Sequence, residues 1–233
     1  MIVRLAVFAI LVLVQTPDQR PAHSTHPLVT PDSMIQMPSN GSEPVLQTLF
    51  AIATENHIPM GIVMDGRQSL CKVPLPHNTS AMKVREFTKL VNDTLPAYRI
   101  SVETGVLNLV PATPPGEVAN LLNLKLSEFR ASPEPVALVG VDLWMFIRSV
   151  IAPNEGTAFT GPSPMNAEKI PSIDIKNLTV QEILNLIVTK ESGGVWIIRG
   201  AEVKRLSPQL QKPFEIYSYA TDQHSLANAL SCS

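Results

Sequence analysis

Two helix–helix–hairpin patterns run along this chain in the same order, and that repetition constrains its fold more than any other feature. Amphipathic helix patterns open at Ser42 and Ser80, and again at Asp142 and Thr179. The first members of the pairs lie 100 residues apart (142 − 42) and the second members 99 (179 − 80). Each second helix leads into a strand-turn-strand pattern, 98–111 and 195–208, and the closing prolines Pro111 and Pro208 are offset by 97 (208 − 111). Four elements in one order at nearly constant spacing predict a duplicated architecture. The expected fold is α+β: two tandem small modules, each with two helices packed on short two- to three-stranded sheets.

The individual elements follow from periodicity. Residues 34–37 (MIQM) read as a short strand, and 39–42 as a turn ending in a helix N-cap. Leu46, Leu49, Phe50 and Ala53 then fall at i, i+3, i+4 and i+7, with Pro59 as the stop. Stretches 60–64 (MGIVM) and 71–75 (CKVPL) read as strands around an Asp65-Gly66 turn. Val84, Phe87, Val91 and Leu95 line one side of the second helix, and Pro96 ends it. From Tyr98 to Glu103 apolar and polar residues alternate, and Thr104-Gly105 turns the chain into Val106–Val110.

In the second half, 112–117 reads as a connection and 121–129 has strand character. Leu143, Phe146, Ile147, Val150 and Ile151 form the next helix face, and Ile173 and Ile175 alternate with Asp174 and Lys176. Thr179-x-x-Glu182 is a capping box ahead of the clearest stripe of the chain, Val180, Ile183, Leu184, Ile187 and Val188. The last 25 residues are polar without sustained period and read as an appendage. The resulting boundaries are a signal peptide over 1–24, a linker over 25–33, modules over 34–111 and 121–208 joined by a linker over 112–120, and a tail over 209–233.

The export reading rests on Arg4 as a positive n-region and on the apolar run Leu5–Val14. That run is short beside the roughly 20 apolar residues of a membrane span. Cleavage at Ala22-His23-Ser24, which lies far from the apolar run, or at Val14-Gln15-Thr16, which a proline follows, leaves a mature chain with no transmembrane span, periplasmic or extracellular, or held at the outer membrane through a partner. A buried first strand is the competing reading of the same run. Cys71 and Cys232 are the only cysteines; in an oxidising compartment they can pair, or they stay two separate thiols. Hydrophobic content of 45% with 16% charged residues indicates a packed core rather than disorder. A net charge of −2 offers no field for polyanions and argues against nucleic-acid partners.

No reactive constellation stands out. His23, His26, His57, His77 and His224 are at no metal-ligand spacing with Cys, Asp or Glu, and Gly161-Pro162-Ser163-Pro164 is a rigid loop rather than a nucleophile elbow. The expectation is therefore no catalytic, cofactor-binding or metal-binding residue, and no enzyme. Trp144, Trp196 and Tyr98 could stack on peptidoglycan sugars, against the plainer expectation that they pack in the core.

Residues 34–65, MIQMPSNGSEPVLQTLFAIATENHIPMGIVMD, followed by 73–111, VPLPHNTSAMKVREFTKLVNDTLPAYRISVETGVLNLVP, resemble the STN domain. That domain is the short module at the N-terminus of secretins and of some TonB-dependent receptors. The matching positions are Leu46 and Leu49, Val63 to Asp65, Val73 and Leu75, Val84 and Phe87, Tyr98 to Val102, and Leu107 to Val110. Arg85 and Thr88 depart from the pattern, and a second similar module follows where the family has a barrel. The resemblance implies two helices on small sheets, an envelope location and partner binding, with a secretin, pilus or TonB-system component as the partner. Strand addition would use the hairpin strands as edges: Val106, Leu107, Asn108, Leu109 and Val110, and Glu202, Val203, Lys204, Arg205 and Leu206. Peptidoglycan or glycan binding is the alternative.

Overall fold

A strand whose apolar residues run on without alternation is stable only when both of its faces are covered. The chain has two such runs, 60–64 and 195–198, one in each half, and they decide the architecture. The computed structural model describes residues 28–38, 44–64, 70–71, 73–75, 81–151, 169–190, 194–199 and 214–218. The first half supplies β1 (Met34–Ile35), α1 (Val45–Glu55), β2 (Met60–Met64), β3 (Met82–Lys83), α2 (Val84–Thr94), β4 (Tyr98–Glu103) and β5 (Val106–Pro111). The second supplies α3 (Gly116–Asn123), β6 (Lys125–Ala131), β7 (Glu134–Pro135), α4 (Val136–Ile151), β8 (Lys169–Ile170), β9 (Ile173–Thr179), α5 (Val180–Thr189), β10 (Gly194–Arg199) and β11 (Phe214–Ser218).

The α+β class is as expected; the separate sheets are not. One five-stranded sheet, in the order β11-β10-β2-β5-β4, takes strands from both halves. The join is a parallel ladder between β10 and β2, with Val195 opposite Met60 and Arg199 opposite Met64. β2 also runs parallel to β5, while β4 and β11 close the two ends antiparallel to their neighbours. Shorter ribbons stay within their own halves: β1 with β3, β6 with β9, and β7 with β8.

Side-chain alternation then splits the interior into two cores on opposite faces of the shared sheet. Met60, Ile62, Leu107, Leu109, Val195 and Ile197 point to the face covered by α1 and α2. Val63, Val106, Trp196, Ile198, Phe214 and Ile216 point to the face covered by α3, α4, α5 and the β6–β9 ribbon. Each half thus covers one face of a sheet that neither half completes alone. No helix among the described residues is long and apolar enough to cross a membrane.

Several boundaries move for physical reasons. α1 begins at Val45 behind Pro44 and α2 at Val84, because Met82 and Lys83 pair with β1 instead of joining the helix. The expected linker 112–120 runs into α3, whose Val118, Leu121 and Leu122 bury one helical face, so the strand there starts only at Lys125. α4 starts at Val136, not Asp142, and buries Val136, Val139, Gly140, Leu143, Trp144 and Ile147. Of the expected stripe, Leu143 and Ile147 are on this face and Phe146 packs at its margin, while Val150 and Ile151 are about half exposed (50% and 53%). Cys71 is in a helical turn rather than a strand, and the strand expected over 71–75 is reduced to a Pro44–Pro74 bridge. The expected tail contributes β11, with Phe214 and Ile216 buried, so part of that segment is sheet rather than appendage.

Candidate functional site

β4 is one of the two edge strands of the shared sheet, β11 being the other, and it carries an ordered side-chain pattern beside its outward backbone groups. β4 forms there because Thr104 and Gly105 both take positive φ (51° and 80°), the geometry of a two-residue hairpin turn. Its inward residues Tyr98 and Ile100 are buried against the α2 side. Arg99, Ser101 and Glu103 project from the other face; Arg99 and Glu103 are exposed and Ser101 is half-buried.

An unpaired edge is a template for another strand, and natural sheets commonly block it. Here the block is a single carboxamide. Asn92, on the last turns of α2, accepts from the Ile100 N–H at 2.7 Å and donates to the Ile100 carbonyl at 3.2 Å. A side-chain amide therefore makes the two bonds that a neighbouring strand would make. The Tyr98 N–H is also taken, by the Leu95 carbonyl at 2.9 Å. Antiparallel alternation points the N–H and C=O of Val102 to the same open side as those of Ile100. Among the described residues no side chain or turn bonds them.

Glu103 is held in place across the two halves. Gln181 of α5 donates to it at 2.8 Å, and the Ser101 hydroxyl donates to its other oxygen at 2.9 Å. Beneath this lies a buried polar seam. The Trp196 indole N–H donates to Asn185 at 2.8 Å, and the Asn185 amide reaches the Glu103 carbonyl at 3.4 Å and the Thr104 hydroxyl at 3.3 Å. The seam ties α5 and β10 to the β4–β5 turn and fixes where the edge strand lies.

The residues expected to form partner edges are placed differently. Val106, Leu107, Asn108, Leu109 and Val110 belong to β5, which has β4 on one side and β2 on the other. β5 is an interior strand, because the parallel β2 ladder fills the side expected to be open. Leu107 donates to the Pro59 carbonyl at 3.0 Å on that side, and Leu109 shares its parity. Glu202, Val203, Lys204, Arg205 and Leu206 lie outside the described residues, and both ladders of β10 are taken by β2 and β11. Cys71 is disulfide-bonded, and Cys232 lies outside the described residues. Trp144, Trp196 and Tyr98 are all buried, at 7%, 0% and 6% exposure, which fits core packing and not a sugar platform.

Sequence reasoning missed two polar groupings. On the α2-side face of β10 and β11, Glu215 accepts from Arg199 at 2.8 Å and from the Tyr217 hydroxyl. Burial and the neighbouring carboxylate push the Tyr217 phenol well above its usual range. Next to α4, burial and a hydrogen bond with Asp142 push Glu134 up from 4.5 to about 7, opposed by Lys169. Two ionised carboxylates have only acceptors to offer each other, so the hydrogen bond is made by the protonated form of Glu134. Glu134 and Asp142 lie eight positions apart, with no motif to join them.

No family model, curated protein or solved structure matches the chain.

Proposed function

We propose that this protein is a non-enzymatic interaction module of the cell envelope, STN-like in its first half, that binds an extended partner segment along β4. The single supporting observation is the edge at Ile100–Val102. Its outward amide and carbonyl at Ile100 are satisfied only by the Asn92 carboxamide, which a partner's backbone can replace bond for bond, and Val102 extends the same row. Main-chain pairing of this kind supplies affinity, and exposed Arg99 and Glu103 would supply selectivity. Candidate partners are secretin, pilus or TonB-system components, and the export pattern over 1–24 supports an encounter in the periplasm or outside the cell.

The test is proline at Val102, which removes an outward N–H and costs the β4–β5 ladder nothing. Pull-downs from envelope extracts with wild type and Val102→Pro should differ, the variant losing partners while its circular dichroism stays that of wild type and its unfolding midpoint falls only slightly, since Val102 packs partly against the first core. Recovery of the same partners by both proteins rejects capture along β4. Glycan binding is less well supported, since the three rings it would use are buried; co-sedimentation with purified peptidoglycan would revive it.

A further inference from the structure

The order of charges on β4 is self-complementary. Arg99, Ser101 and Glu103 stand in a row on one face, positive, neutral and negative. Turning a second copy of the strand by a two-fold rotation about Ser101 sets Arg99 against Glu103 of the second copy, Glu103 against Arg99 of the second copy, and Ser101 against itself. The same rotation sets Ile100 opposite Val102. These are the two residues whose amides and carbonyls point away from β5, so the backbone parity of an antiparallel ladder is met in the register that matches the charges. A one-residue slip in either direction would lose both matches.

We infer that β4 pairs antiparallel with β4 of a second copy of this chain, centred on Ser101, so that two five-stranded sheets join edge to edge. This rests on the proposed use of the β4 edge and names its occupant. In the joined form the Ile100 N–H and C=O exchange the Asn92 carboxamide for the Val102 backbone of the second copy, an amide for an amide. Glu103 exchanges Gln181 and Ser101 for a guanidinium at an exposed site. The first exchange replaces an amide with an amide and the second sets an ion pair at a solvent-exposed site, where such pairs contribute little, so the association is weak and reversible, sensitive to protein concentration and to salt.

Sedimentation velocity on the full chain across a concentration series tests this with a charge swap. Wild type should show a monomer–dimer equilibrium. Arg99→Glu or Glu103→Arg alone places like charges opposite each other twice and should raise the dimer Kd about tenfold or more. The double variant R99E/E103R restores opposite charges in the same register and should return the Kd to near wild type. A wild type that stays monomeric at every concentration overturns the inference, as does a dimer whose single variants match it or whose double variant is not rescued. A monomeric protein that still loses an envelope partner on Val102→Pro would leave capture along β4 standing and remove only self-pairing.

Discussion

Replacing Gly61 by alanine probes the junction of the two halves with one methyl group. Gly61 sits in β2 between Trp196 of β10 and Asn108 of β5, in one layer across the sheet. A Cβ at Gly61 would lie 2.2 Å from the Trp196 ring and 2.3 Å from the Asn108 carboxamide oxygen, whereas ordinary contact begins at 3.4 Å. Both neighbours are fully buried, so neither can swing into solvent. The indole would have to retreat by about 1 Å, and that motion strains its 2.8 Å hydrogen bond to Asn185. Overpacking of this kind costs about 1–3 kcal/mol, and a buried group losing its partner adds about 1–3 kcal/mol. The reduced backbone freedom of alanine in the unfolded chain returns about 0.4–1 kcal/mol. The net expectation is roughly 2–5 kcal/mol of destabilisation, a fall in Tm of about 5–15 °C for a chain of this size.

The assay is urea and thermal unfolding of the variant, followed by tryptophan fluorescence and by hydrogen exchange resolved to peptides. Because Gly61 and Trp196 come from different halves, protection should fall in β5 and in α5 together. A double-mutant cycle isolates the contact. Trp196→Ala is itself costly, about 3–5 kcal/mol, but in that background Gly61→Ala has no ring to displace. The coupling between the two sites should therefore be favourable, on the order of 1–3 kcal/mol. A Gly61→Ala protein within about 0.5 kcal/mol of wild type, or a cycle in which the two costs simply add, refutes the shared-sheet packing.

The remaining predictions concern single sites. Glu134 has its folded-state pKa raised from 4.5 to about 7, so its protonated form favours the fold; the contribution is complete below pH 4.5 and is lost as pH rises through about 7. The urea midpoint should accordingly decline across that window and level off above it, and Glu134→Gln should flatten the slope; an unchanged slope in the variant means other groups cause it. At the start of α5, the Thr179 side chain accepts from the Glu182 N–H while Glu182 accepts from the Thr179 N–H at 2.7 Å. Thr179→Ala should cost about 1 kcal/mol in denaturant titration, and a neutral result would mean that the capping box contributes nothing measurable.

Local signals in the sequence carried most of the secondary structure, and their failures share one cause. The hairpin of β4 and β5, the helix stripe of α5 and the alternation of β9 depend on a few neighbouring residues, and each lies where its pattern puts it. The sheet that joins the halves depends on a parallel pairing between residues about 135 positions apart, Val195 with Met60, which no local period can encode. Its trace was nonetheless present. MGIVM and VWII lack the alternation of YRISVE, and a strand apolar on both faces needs a layer on each side, which a small two-helix module cannot provide. The same contrast explains the misplaced edge. VLNLV is nearly continuous in apolar residues because it is interior, while the alternating YRISVE marks the strand that meets solvent, so between the two strands of that hairpin the outer one was the more polar. Asn92 gave no warning of its role, since an asparagine near a helix C-terminus is ordinary until the strand it caps is placed beside it. The two halves therefore form two layers around a common sheet, and the β4 edge draws on both: Glu103 from the first half is held in position by Gln181 and Asn185 from the second.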